Sequence, residues 1–156
     1  MALAVSAWLA LVVVAPTLPV PIAGLLYLAG SFICHQLPER SFHLFGAQLA
    51  ACARCVGIYA GVAAGLGVQA LGFGNARAMS ARRLRVALVA GALPTSVTVA
   101  LEWLALWQPS NAVRASAGLT LGVALAFVVV EAAARLHYDP CVPQRRIAPR
   151  PPATPI

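Results

Sequence analysis

The sequence predicts an all-α, polytopic membrane protein, a bundle of about four transmembrane helices with a kinked or broken N-terminal span. The composition is 61% hydrophobic and only 10% charged, whereas soluble domains carry about 25% charged residues. A chain of 156 residues has too little interior to hide so much apolar surface from water. In addition, several apolar runs are long enough to cross a hydrocarbon layer of roughly 30 Å as helices.

The predicted spans cover residues 55–74, 86–107 and 114–135, together with an N-terminal region over 3–33. Pro16, Pro19 and Pro21 interrupt that last region, so it is either one kinked helix or two short helices, since proline breaks the helical hydrogen-bond ladder. A signal peptide fits less well, because no arginine precedes Arg40. We expect one transmembrane domain over 1–138 and a disordered Pro/Arg-rich cytoplasmic tail over 139–156.

The formal net charge is +7, and every basic residue is an arginine. These arginines flank apolar runs instead of alternating with aromatics, so the pattern does not indicate nucleic-acid binding. The predicted partners are the lipid bilayer and either other membrane proteins or further copies of the chain. Because positive loops stay inside, the arginine-rich segment 75–85 and the tail are predicted to be cytoplasmic. The segment with the cysteines then lies on the outer face of a bacterial inner membrane that the chain crosses several times.

Small residues recur at helical spacing in two predicted spans. Gly57, Gly61 and Gly65 are four residues apart, as are Gly118 and Gly122. Small residues at this spacing let helix backbones approach closely in lipid. The sequence therefore predicts close packing through these glycines, on the opposite face of the helix from the cysteines.

Three of the four cysteines lie between residues 34 and 55. Cys52 and Cys55 form a C-x-x-C motif at the start of one predicted span, and Cys34 and His35 end the preceding one. A helix N-terminus favours thiolate, because its free N–H groups stabilise negative charge. The connecting segment is long enough to fold back, so we expect the two motifs to meet at one membrane surface.

Three interpretations of this cluster stay open. The favoured one is a metal site with zinc as the expected cofactor. Its ligands would be Cys34, Cys52, Cys55 and one histidine, for which His35 is preferred over His43. The second is a membrane thiol–disulfide oxidoreductase in which Cys52 and Cys55 exchange with Cys34. The third is a structural disulfide with one spare thiol, in a subunit of a larger membrane complex. No catalytic residue is assigned, and the sequence does not decide whether the protein is an enzyme.

Other polar side chains are candidates for supporting roles around the cluster. Glu102 lies inside a predicted span near its outer end, and an acid at such depth is a functional candidate because burying its charge in lipid is costly. It is also explained by an ion pair with Arg54 or Arg114. The full set of supporting candidates is Gln36, Arg40, His43, Arg54, Tyr59, Glu102 and Arg114.

The string CHQLPERSFHLFGAQLAACARCVGIYAG resembles the signature of a bacterial membrane protein family, the domain of unknown function 2085. The resemblance extends over most of residues 22–136 and implies a multi-span membrane protein without an established activity. It also implies an acidic residue near position 98. This chain has Thr98 there and Glu102 one helical turn later. The matching positions are Cys34, His35, Gln36, Pro38, Arg40, Ser41, Phe42, Gly46, Gln48, Cys52, Arg54, Cys55, Gly57, Tyr59 and Gly61, with Pro94, Asn111, Arg114, Gly118 and Gly122 further along.

Overall fold

A computed structural model describes residues 1–71 and 80–137, with side chains as far as residue 134. Helices dominate the described residues, and a two-stranded hairpin joins the second helix to the third. The predicted tail over 139–156, the end of the predicted span 55–74 and Cys141 lie outside the described residues. In chain order the elements are α1 (Ala2–Val14), a 3-10 turn (Ala15–Thr17), α2 (Val20–Ser31), a second 3-10 turn (Pro38–Arg40), β1 (Ser41–Leu44), β2 (Ala47–Cys52), α3 (Ala53–Ala70), α4 (Ala81–Trp103) and α5 (Asn111–His137).

Two helices among the described residues are long and apolar enough to cross a membrane. They are α4 and the Asn111–Ala134 part of α5, which match the predicted spans 86–107 and 114–135. The expected count of about four spans is not confirmed by these lengths. Within the predicted span 86–107, the helix ends at Trp103. Ala105 has a positive φ of 53°, and the Leu106 N–H donates to the Leu101 carbonyl over 3.0 Å, which closes the helix in a Schellman-type turn.

The N-terminal region forms two short helices. The break falls at the 3-10 turn Ala15–Thr17, and α2 starts after Pro19. With 13 and 12 residues, α1 and α2 are each only about 20 Å long, which is less than the roughly 30 Å of a hydrocarbon core. Val12 of α1 is fully buried, and it packs with Ala50 of β2. The first helix is thereby fixed against the hairpin.

Helices α3 and α5 pack through their glycines, as predicted. A methyl group added at Gly57 would overlap the Ala115 carbonyl, and one added at Gly61 would overlap the backbone at Leu119. Conversely, a methyl group at Gly122 would meet the Ile58 carbonyl. The two backbones are therefore in direct contact, in the way that small residues permit in membrane proteins.

The hairpin corrects the prediction of an all-α fold. Leu44 pairs with Ala47 across a two-residue turn, and both turn residues, Phe45 and Gly46, have positive φ. That conformation belongs to the type I′ turn, whose twist suits a tight hairpin. Because β2 ends at Cys52 and α3 begins at Ala53, the hairpin places Cys52 directly before the first residue of α3.

Candidate metal centre

Three thiols meet where α2, β2 and α3 come together. The sulfur atoms of Cys34, Cys52 and Cys55 all lie within 4.8 Å of one another. Cys34 is buried and the other two are half-buried, and all three are free thiols. The predicted meeting of the two cysteine motifs is therefore present in the structure.

Gln36 holds the segment that carries Cys34. Its side-chain amide donates to the carbonyls of Tyr27, over 2.9 Å, and Ala50, over 2.8 Å. The backbone carbonyl of Gln36 accepts a hydrogen bond from the Gln48 side chain over 3.1 Å. Gln36 has a φ of 50°, a left-handed conformation that is unusual for a residue other than glycine. These hydrogen bonds fix the turn after Cys34 against both α2 and the hairpin.

The sulfur of Cys34 is surrounded by hydrogen-bond donors. It accepts from the Cys52 N–H over 3.2 Å and from the Gln36 N–H over 3.5 Å. Hydrogen bonds from the thiols of Cys52 and Cys55 lower the pKa of Cys34, and they outweigh the opposing effect of burial. The pKa of Cys52 is raised, chiefly because its thiol hydrogen-bonds to Cys34. One sulfur of the cluster is thus stabilised as a thiolate, which is the form that binds metals.

Next to the sulfur cluster, three arginines converge on Glu102, whose side chain is 1% exposed. Arg114 donates from Nε to Oε1 over 2.9 Å, and Arg54 donates from Nη2 to the same oxygen over 3.1 Å. Arg40 lies 3.6 Å from Oε2. The expected ion pair of Glu102 with Arg54 or Arg114 is therefore made with both, and Arg40 is a third partner. Residues of α3, α4, α5 and the turn before β1 meet at one carboxylate.

Further hydrogen bonds tie this network to its surroundings. Thr98 accepts from Arg54 over 3.4 Å, so it lies beside Glu102 at the position where the family resemblance implied an acid. Asn111 accepts from Arg114 over 2.9 Å and donates to the Ser41 carbonyl over 2.9 Å. Ser41 is completely buried. The start of α5 is in this way fastened to the hairpin.

The sulfur cluster and the three arginines line a common cavity of about 490 Å³. Apolar side chains from the segment after α2, from α3 and from α4 complete its lining. Its lining residues are Ile33, Cys34, His35, Gln36, Leu37, Arg40, Cys52, Arg54, Cys55, Ile58, Val99, Trp103 and Arg114. A ligand in this cavity would contact the sulfurs and the guanidinium groups at once.

The other candidate residues differ in whether they line the cavity. His35 is exposed and lines the cavity, so its role as a metal ligand stays a prediction. His43 is exposed on β1, opposite Gln48, and is not among the residues that line the cavity. Tyr59 packs edge-to-face on Trp8 with ring centroids 6.4 Å apart, which gives it a place in the core between α1 and α3.

Sequence reasoning missed that Arg40 reaches Glu102. Arg40 is the last residue of a 3-10 turn, and its distance along the chain from Glu102 gives no local periodicity to link them. The only available signal was charge: a buried acid in an arginine-rich chain needs positive partners.

Known proteins match this chain without supplying an activity. An uncharacterized protein of Methanocaldococcus jannaschii is 58% identical over 41 residues, which are 26% of this chain and 26% of that relative. The chain thus spans about a quarter of the length of this curated relative. No solved structure matches the chain. The model of a family described as predicted membrane protein, domain of unknown function 2085, matches residues 34–128. That range holds Cys34, Cys52 and Cys55, the hairpin, α3, α4 and most of α5. The chain belongs to this family of predicted membrane proteins.

Proposed function

We propose that this protein is an integral membrane metalloprotein whose metal is bound by Cys34, Cys52 and Cys55. The observation that carries the proposal is the mutual approach of the three sulfurs to within 4.8 Å. In a tetrahedral zinc site with bonds of about 2.3 Å, sulfur atoms lie about 3.8 Å apart. A modest closure of the cluster around an ion meets that requirement, and zinc is the metal that a thiolate-rich tetrahedral set favours.

The third thiol favours a metal over dithiol exchange. A thiol–disulfide pair needs only Cys52 and Cys55, yet the Cys34 sulfur lies close to both and accepts backbone hydrogen bonds from Gln36 and Cys52. This preorganised third sulfur has a direct use as a ligand. The buried amide bonds of Gln36 act as the supporting contacts that commonly orient metal ligands.

The fourth coordination position would face the cavity. His35 lines that cavity, so it supplies either the fourth ligand or a group close to it. Zinc sites with three protein ligands and one exchangeable position are the type that polarises bound molecules, whereas four protein ligands mark a structural site. We propose the exchangeable type, with a role in handling a metal or a metal-bound ligand at the outer face of a cell membrane crossed by α4 and α5.

Metal analysis of the purified full chain tests this proposal. We expect about one metal ion per wild-type chain and almost none in the Cys55→Ser variant, because removing one of three thiolates breaks the ligand set. Cys141→Ser is the matched control, since it removes a cysteine that is distant from the motif in sequence, and it should keep the metal. Mass spectrometry of the intact protein and elemental analysis provide the readout.

Two results would contradict the proposal. One is a wild-type protein that is purified without chelators and carries no metal. The other is a reducible Cys52–Cys55 bond in the wild-type protein, detected as thiols that alkylate only after reduction. The second result would replace the metal site with a disulfide, as the thiol–disulfide oxidoreductase and the structural disulfide both require.

A further inference from the structure

The cavity beside the sulfur cluster carries more positive charge than its own residues neutralise. We propose that it binds an amphiphilic phosphate, that is, a phosphate group carried on an apolar chain. The guanidinium groups of Arg40, Arg54 and Arg114 would hold the phosphate, and the apolar wall would hold the chain. This inference goes beyond the proposed metal centre and stands on different residues.

The first argument is charge. Three arginines pair with a single carboxylate, Glu102, which leaves two positive charges without an anionic partner in the network. Glu39, the acid next to Arg40, is exposed and does not line the cavity. Unpaired charges are costly where water is scarce, and Arg114 is only 7% exposed. A bound anion would offset that cost.

Zinc bound by three thiolates would carry one net negative charge, so a metal alone would leave one positive charge over. The site therefore keeps a net positive charge with or without the metal, and a phosphate anion would offset that charge in both cases. The attraction of the site for an anion therefore does not depend on a bound metal.

The second argument is the supply of donors. Both oxygens of Glu102 are already occupied by arginines, and each guanidinium has five N–H groups. The Nε atom of Arg54 is buried and has no hydrogen-bond partner among the described residues. Guanidinium groups match phosphate oxygens in a bidentate fork, and all three arginines line the cavity. The three arginines that line the cavity therefore carry more N–H donors than the Glu102 carboxylate accepts.

The third argument is the apolar wall. Ile33 and Trp103 line the same cavity but are 67% and 83% exposed. Phe32 and Leu104, their chain neighbours, are also exposed. Tryptophan at the end of a spanning helix is typical of the membrane interface. A ligand with a charged group and an apolar chain matches this division of the cavity better than a free anion does.

Binding of short-chain lipids to the purified full chain in neutral detergent tests the proposal. The probes are dihexanoyl phosphatidic acid, zwitterionic dihexanoyl phosphatidylcholine and inorganic phosphate. Tryptophan fluorescence reports binding, since Trp103 lines the cavity. Arg40→Gln is the test variant, because Arg40 is 35% exposed and makes the longest of the three ion pairs. Arg85→Gln is the matched control, an exposed arginine about 26 Å along α4 from Glu102.

We expect phosphatidic acid to bind the wild type and Arg85→Gln equally, and to bind Arg40→Gln roughly tenfold more weakly, as expected for losing a charged hydrogen bond. Inorganic phosphate should bind more weakly with the same dependence on Arg40. If phosphate binds as tightly as phosphatidic acid, the arginine site stands and its ligand is free phosphate. The proposal is overturned if phosphatidylcholine binds as tightly as phosphatidic acid, if Arg40→Gln has no effect, or if neither anion binds.

The metal content of each variant separates this proposal from the previous one. Arg40→Gln should keep the metal while losing affinity for the lipid. Cys55→Ser should lose the metal while still binding phosphatidic acid. Failure of the metal proposal therefore leaves the lipid measurement interpretable, and failure of the lipid proposal leaves the metal measurement intact.

Discussion

Replacing Glu102 with glutamine is expected to destabilise the protein more than any other single polar substitution among the described residues. Its carboxylate pairs with Arg54, Arg114 and Arg40 while its side chain is almost completely buried. Removing one partner from a buried ionic cluster costs about 3–5 kcal/mol, because the remaining charges stay buried and unpaired. Thermal and denaturant unfolding in detergent, followed by circular dichroism, measures the loss.

Glu39→Gln is the control for this prediction. Glu39 is exposed on the turn that carries Arg40, so its neutralisation should change the free energy of unfolding by less than about 0.5 kcal/mol. The double variant Glu102→Gln, Arg40→Gln should recover part of the stability, since it removes one of the unpaired charges. Wild-type stability in Glu102→Gln would show that the arginines do not depend on this carboxylate.

Removing the metal is expected to lower the thermal stability of the wild type by about 10 °C. A ligand that binds only the folded state contributes about 4 kcal/mol when its concentration is a thousand times its dissociation constant, and each kcal/mol is worth roughly 2–4 °C for a chain of this size. Cys34, Cys52 and Cys55 come from a loop, a strand and a helix end, so a bound ion would cross-link three elements. Unfolding curves before chelation, after chelation and after adding zinc back measure this effect.

The Cys55→Ser variant is the control for chelation. Without a complete ligand set it should unfold at the same temperature with and without chelator. If wild-type protein that has verifiably lost its metal unfolds at an unchanged temperature, the ion does not hold these elements together, and a role in stabilising the fold is excluded.

The helix packing could be predicted because it depends on local periodicity. Gly57, Gly61 and Gly65 fall on one face of a helix at four-residue spacing, and the structure places that face against α5. The opposite face carries Cys55 and Tyr59, which pack toward Trp8 and α1. A repeat of about 3.6 residues per turn assigns residues to helix faces without knowledge of the partner.

The sulfur cluster could also be predicted, because both motifs sit at the ends of apolar runs joined by a short segment. A membrane restricts such ends to its two surfaces, so the choice of partners is small. The same argument placed Glu102 near the cluster, and its contact with Arg54 agrees with that expectation. Which surface of the membrane carries the site stays a prediction, since it depends on the arginine distribution alone.

The hairpin and the convergence of arginines could not be predicted as readily. The turn uses Phe45 in a positive-φ conformation, where asparagine or glycine is the usual signal, so the sequence of this segment indicates only a connector. Arg40 lies in the turn before the hairpin and Glu102 lies in α4, so their contact depends on how these elements pack. It is a tertiary contact between distant parts of the chain, and hydrophobic periodicity carries no information about it.

X-ray absorption spectroscopy at the edge of the metal bound to purified wild-type protein tests the central claim most directly. Coordination by Cys34, Cys52 and Cys55 predicts three sulfur neighbours at about 2.3 Å and one lighter nitrogen or oxygen neighbour at about 2.0–2.1 Å, as in zinc sites. A first shell without sulfur, or with two sulfurs at most, would contradict the three-thiolate centre on which the proposed function depends.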